Sequence, residues 1–149
     1  MNDQPINLRV LLLLVIAFGI SLYARAQNNV RNPNTDSEIL SKAITDSTLW
    51  ENTSIPLESL SEIYLLDHGV TLDVPEQFTI QGILIKVIQK NQLSLVGDTP
   101  LVQVHTFNVE NEAALVRLYL RYVENGVEKN TNTELWFNND GANWNLITK

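Results

Sequence analysis

The sequence predicts an α+β domain, in which one helix, following an N-terminal signal segment, packs on a curved antiparallel sheet that ends in a four-strand meander. Three observations predict it. Residues 36–51 carry one apolar stripe at helical spacing. Residues 101–148 hold four segments of strand-like alternation. The gaps between these segments are short and polar. One of them is Asn125-Gly126, the preferred pair for a tight hairpin because both central residues take positive φ.

The helix opens at a capping signal. Thr35 with Glu38 three residues on fits a capping box, and Asp36 or Ser37 offers another N-cap. Ile39, Leu40, Ala43 and Ile44 form the stripe, and Leu49 and Trp50 extend it. A helix of this length is marginal alone, so the stripe has to dock on the sheet.

Residues 55–75 admit two readings. Leu57, Leu60, Ile63 and Tyr64 have helical spacing, whereas Tyr64, Leu65 and Leu66 suit a short strand. Asp67, His68 and Gly69 read as a turn. Val70, Leu72 and Val74 alternate as a strand does, and Pro75 ends it. Residues 78–89 read as one buried strand, apolar on both faces, with Gly82 marking a bulge. Residues 91–98 form a short helix or loop.

The meander strands are expected at residues 101–110, 113–123, 128–137 and 143–148. In the second, Ala114, Val116, Leu118, Leu120 and Tyr122 share one face, and Arg117, Tyr119 and Arg121 share the other. In the third, Thr131, Thr133, Leu135 and Phe137 oppose Trp136. Residues 138–141 supply a second hairpin turn, and Trp144, Leu146 and Thr148 fall together in the last strand. A helix in the concavity of a curved sheet turns the face of Ala114 and Leu118 inward.

The N-terminus reads as a leader. Residues 10–23 are an unbroken, uncharged run of fourteen, preceded by Arg9 and followed by Ala24-Arg25-Ala26. A positive start, an apolar middle and an A-x-A end make a secretory signal, residues 1–26, cleaved before Gln27. The run is shorter than the roughly 20 residues of a spanning helix. An uncleaved inner-membrane anchor over residues 10–26 is the alternative. Residues 27–34 then form a flexible linker, and residues 35–149 a single domain.

The formal net charge of −7 becomes −8 once Arg9, Arg25 and Asp3 leave with the leader. An acidic surface repels phosphates, which argues against nucleic acid and against docking on an anionic bilayer through a basic patch. There is no cysteine. That excludes disulfides, a cysteine nucleophile, Cys-ligated zinc and a lipoprotein anchor, so the apolar core alone has to hold the fold.

The order of parts, a helix, a middle region and four closing strands, resembles the cystatin-like or NTF2-like arrangement. The ending ELWFNNDGANWNLITK is similar to the last hairpin of many such proteins, where an aromatic follows a Gly-containing turn and packs under the sheet. Residues 83–146, with NQLSLVGDTPL and EAALVRLYLRY, resemble small uncharacterised exported proteins of Bacteroidetes, and a leader ending in ARAQN suits that group. The resemblance covers under half the chain and rests on packing residues. It implies a fold and no activity, since NTF2-like folds serve as enzymes, binding modules and scaffolds alike.

Candidate chemistry is sparse. Of the two histidines, His68 reads as a surface turn residue and His105 as a hydrogen-bonded sheet residue on the side of Leu101, Gln103 and Phe107. Asp67 could orient His68 as a base, but neighbours in sequence point apart. No H-E-x-x-H spacing, G-x-S-x-G elbow or glycine-rich phosphate cradle is present. Glu110 and Glu112 flank a turn, and Asp36, Glu38 and Asp46 read as caps or surface charge. Asn52-Thr53-Ser54 matches a glycosylation acceptor, a pattern common by chance. The best candidate is a polar face of Arg117, Tyr119 and Arg121 with Gln103 and His105 on a neighbouring strand, suited to an anionic or sugar-like ligand. The plain alternative is a solvated face with cross-strand pairing, for example of Arg117 to Glu134.

The expectation is a small periplasmic or secreted binding or accessory protein, non-catalytic, with no cofactor or metal. Its partner would be another envelope protein or a small polar ligand, not nucleic acid, and membrane only if the leader is uncleaved. The rival is a small NTF2-like enzyme pairing His105 or His68 with a carboxylate in a helix/sheet cleft. A second rival is a membrane-anchored subunit of an envelope complex.

Overall fold

The computed structural model describes residues 33–147, where a seven-strand mixed sheet curls into a half-barrel beside a short helix. These residues belong to one compact unit, Asn32–Lys149. The expected leader, residues 1–26, and the expected linker up to residue 32 lie outside the described residues. In chain order the elements are α1 (Pro33–Ile44), α2 (Ser47–Trp50), a 3-10 turn (Leu57–Ser59), β1 (Glu62–Asp67), β2 (Gln77–Ile80), β3 (Ile83–Ile88), a 3-10 segment (Lys90–Leu95), β4 (Leu101–Glu110), β5 (Ala113–Glu124), β6 (Val127–Asn139) and β7 (Trp144–Leu146). The sheet order is β2-β3-β1-β4-β5-β6-β7.

The expected single helix over residues 36–51 is two helices. It starts earlier, at Pro33, whose missing N–H suits a first helical position. Pro33 and Asn34 are therefore helix, not linker. The break falls at Asp46, which is extended (φ −66°, ψ 134°) and accepts the Thr48 N–H at 2.9 Å, so it ends one helix by capping the next. Thr35 lies inside α1 and caps nothing. Glu38 instead reaches out of the helix. Its Oε1 accepts the Trp144 N–H and the Lys42 ammonium, each at 2.9 Å, and Lys42 also donates to the Trp144 carbonyl. Burial pushes the Glu38 carboxyl up, but these bonds outweigh it and hold the group below its usual value. Asp36 is neither a cap nor a surface charge. It is fully buried and accepts the Asp73 N–H at 3.0 Å, fastening the loop after β1 to the helix.

The four closing strands form the expected antiparallel meander; the last runs Trp144–Leu146 rather than residues 143–148, and Thr148 lies outside the described residues. Leu118 and Ala114 are buried, and Arg117 lies exposed on the opposite face. Asn125 (φ 54°) and Gly126 (φ 75°) make the tight turn. Ile39, Leu40, Ala43, Leu49 and Trp50 pack into the inner face with Val116, Leu118, Leu120 and Phe137.

The first half of the sheet departs from the expectation. Residues 78–89 are not one bulged strand but the β2–β3 hairpin, with Gln81 (φ 50°) and Gly82 (φ 88°) as its turn. Gly82 supplies a corner residue, which explains why both faces around it read as apolar. Val70, Leu72 and Val74 form no strand; they pack as loop residues against the core. The sheet is mixed rather than antiparallel. β1 lies between β3 and β4 and runs parallel to both. The Lys90–Leu95 segment carries the chain from β3 across β1 to β4. In doing so Leu93 and Val96 cover Tyr64, Leu66, Ile88 and Leu101, a second small core on the outer face.

Candidate ligand-binding face

The candidate residues meet at an irregularity in β4. Register runs evenly from Leu101 opposite Arg121 to Val104 opposite Leu118, then shifts so that Thr106, not His105, faces Arg117. His105 is the extra residue of a β-bulge. The bulge inverts the alternation beyond it. Phe107 turns into the inner core opposite Val116, so it does not share a side with His105 and Gln103 as the unbroken pattern predicts.

The bulge aims His105 at the rings beside it. Its centroid lies 4.3 Å from that of Tyr119 at an interplanar angle of 41°, and 4.3 Å from that of His68 at 16°. His68 stands just past the end of β1, and its N–H donates to the Val104 carbonyl at 3.2 Å. Two imidazoles and a phenol therefore form one stack across β1, β4 and β5. Gln103 faces Tyr119 across the β4–β5 pair. Burial, and then the proximity of His68, hold the His105 imidazole below its ordinary value.

The arginines flank this stack. Arg117 Nε donates to Glu134 Oε2 at 2.6 Å, the cross-strand pair that its register allows. Arg121 donates to Glu128 Oε2 and to the Gly97 carbonyl, both at 3.4 Å. The five candidate residues thus share one face, with both guanidinium groups already engaged by carboxylates on the rim. Such solvated pairs hold weakly and exchange readily for a ligand anion.

A shallow cleft of about 280 Å³ adjoins the stack, lined by His68, Asp67, Gly69, Leu66 and Lys90. Asp67 does not turn to His68 there. Its Oδ1 accepts the Val70 N–H at 2.6 Å and closes the turn. The rings in contact with His105 belong to His68 and Tyr119. Among the described residues no group of three or more His, Asp or Glu side chains is placed to hold a metal ion. Glu110 accepts from Asn108 at 3.0 Å and is exposed, as is Glu112.

Gln103 and His105 stand on the outer face with Arg117, Tyr119 and Arg121, while His68, expected as a surface turn residue, and Lys90 lie beside them. Both arrive through the parallel placement of β1 and the chain's passage over it, which no local pattern announces. No protein-family model matches this chain, and neither a curated protein nor a solved structure is similar to it.

Proposed function

We propose that this chain is an exported, non-catalytic binding or accessory domain of the periplasm or the cell exterior. Its contact surface is the outer sheet face around Tyr119, where His68, His105, Gln103, Arg117 and Arg121 meet a small polar ligand or another envelope protein. The observation that carries this reading is the ring stack of His68, His105 and Tyr119 on the outer sheet face, bordered by two arginines. Rings and guanidinium groups on a rigid support are the usual makings of a recognition surface. What favours binding over the catalytic alternative is the environment of the histidines. A histidine acting as general base is commonly oriented by a carboxylate within hydrogen-bond reach. Here the nearest carboxylate in sequence, Asp67, is spent on the Val70 N–H. Export rests on the leader and on the resemblance to exported Bacteroidetes proteins. Among the described residues no helix is long and apolar enough to cross a membrane.

The test has two arms. The mass of the protein recovered from producing cells is expected to start at Gln27; an intact leader in the membrane fraction would move the reading to an anchored envelope subunit. Imidazole and Tyr119 resonances are then followed by NMR during titration with small carboxylates and sugars. Shifts confined to this face, and lost in a Tyr119→Ala, Arg121→Ala double variant, support the proposal. Turnover of any ester, amide or phosphate substrate that disappears in His105→Ala overturns it.

A further inference from the structure

His68 and His105 meet face to face, with ring centroids 4.3 Å apart and planes at 16°. Tyr119 lies 4.3 Å from His105 in turn. His68 is exposed and His105 half-buried. Charged groups surround the pair from every neighbouring element. On β5, Arg117 and Arg121 flank Tyr119, and β6 answers them with Glu134 and Glu128. Nearer the start of β1, Glu62 pairs with Lys86 of β3. Lys90 shares the cleft of about 280 Å³ with Asp67, whose Oδ1 accepts the Val70 N–H. Each of these cations has a carboxylate opposite or beside it. Among the described residues the ion pairs are made by lysines and arginines, and neither imidazole takes part in one.

The charge state of the two rings is therefore settled chiefly between them. Neutral imidazoles stack favourably, and so does a neutral ring with a charged one. Two charged rings repel. At this separation, in the dielectric of a protein surface, the second proton binds about tenfold or more weakly than the first. Burial, and then the proximity of His68, already hold the His105 imidazole below its ordinary value. Parting the rings removes the repulsion, so by linkage the second proton favours the parted arrangement by the same factor.

The fold leaves the rings room to part. His68 lies one residue past the end of β1, joined to β4 by its N–H on the Val104 carbonyl at 3.2 Å. Gly69 follows with φ 85° and open space where a Cβ would stand. His105 is the extra residue of the bulge, so its side chain can turn without costing the β4–β5 ladder a pair.

We infer that the stacked imidazoles are a proton-operated latch on the Tyr119 face, closed while at most one ring is charged and open when both are. In the closed form the two rings and Tyr119 make one continuous surface. In the open form the His68 turn leaves β4, the cleft beside it widens, and Tyr119 loses its neighbours. The closed form is fully favoured above the ordinary histidine value of 6.5 and is lost as pH falls from there through the folded His105 value. Recognition on this face is then strongest at neutral pH and weak in acid, a consequence that rests on the contact surface proposed above. The latch itself does not.

The full chain is followed by NMR from about pH 8 to about pH 4 with no ligand added. At about pH 8, nuclear Overhauser contacts are expected between the rings of His68, His105 and Tyr119. The imidazoles are expected to titrate in two separated steps. The ring contacts vanish with the second step, while the amide dispersion of β5 and β6 persists. In His68→Gln the His105 step moves up towards 6.5, because the neighbouring charge is gone. The parent chain alone decides the matter if His68→Gln fails to fold. Four results overturn the latch: ring contacts that survive with both imidazoles charged; histidines that titrate together with midpoints unmoved in His68→Gln; a second ring still neutral at about pH 4; or loss of the β5 and β6 dispersion together with the contacts. A latch that fails while carboxylates or sugars still shift this face leaves the proposed contact surface standing. A latch that operates on a face no ligand perturbs removes that surface and keeps the latch.

Discussion

Leu118 sets the face of the whole meander, and its replacement tests the register on which the Tyr119 face depends. It is completely buried, opposite Val104 on β4 and Thr133 on β6. Truncation to Ala removes buried methyl groups and leaves space that a three-strand contact cannot fully close, for a loss of about 2–5 kcal/mol. Leu118→Asp loses the same burial and adds an unpaired carboxylate, whose effective penalty is several kcal/mol more. The sum approaches the roughly 5–15 kcal/mol that holds an ordinary domain together. Leu118→Asp is therefore expected to be unfolded at neutral pH. Leu118→Ala is expected to fold with a lower urea midpoint and an unchanged slope. The adjacent Arg117 is the control. Its side chain is 52% exposed, and removing its pair with Glu134 costs no more than about 1 kcal/mol. Far-UV circular dichroism through a urea titration measures all three. A folded Leu118→Asp protein with a wild-type midpoint, or an Arg117→Ala protein as damaged as Leu118→Ala, refutes the assignment of faces.

Two further predictions concern pH. The folded His105 titrates below its ordinary value of 6.5, so the unfolded chain binds that proton more readily. Its contribution is fully present above 6.5 and is lost as pH falls from there through the folded value; comparing urea midpoints at about pH 8 and about pH 5, His105→Asn should show a smaller acid loss than the parent. Glu124 is held at about 2, chiefly by the Lys129 ammonium and then by Ser54. The stability it contributes is present above its ordinary 4.5 and disappears as pH falls from 4.5 towards 2, so Lys129→Met should raise the Glu124 pKa, read by carboxyl NMR, and flatten stability across that window.

How much of this was legible in the sequence depends on how local each determinant is. Asn125 and Gly126 specify their turn by backbone sterics alone, and Leu118 and Arg117 declare their faces by alternation. The meander could be read from such features, strand by strand. Glycine chemistry misled at Gly82, because a bulge and a two-residue turn both call for positive φ, and the flanking residues are apolar either way. The helix was over-extended because Asp46 suits a helix surface about as well as a cap. Only its extended backbone shows which role it plays.

Partner choice is different in kind. Nothing in Glu62–Asp67 says that it will lie between β3 and β4, parallel to both. That arrangement follows from where the Lys90–Leu95 segment finds apolar surface to cover, a competition settled across the whole sheet. The Tyr119 face inherits this. Arg117, Tyr119 and Arg121 were legible because one strand carries them. His105 joined them through a neighbouring strand, yet its bulge was not legible, and the bulge is what separates it from Phe107. His68 entered only through the parallel pairing of β1 with β4, which places the end of one strand beside the bulge of the other. A site assembled in this way follows the strand order more closely than it follows the sequence of any one strand. Its geometry should therefore vary with the β1–β4 crossover even where the β5 stripe itself is unchanged.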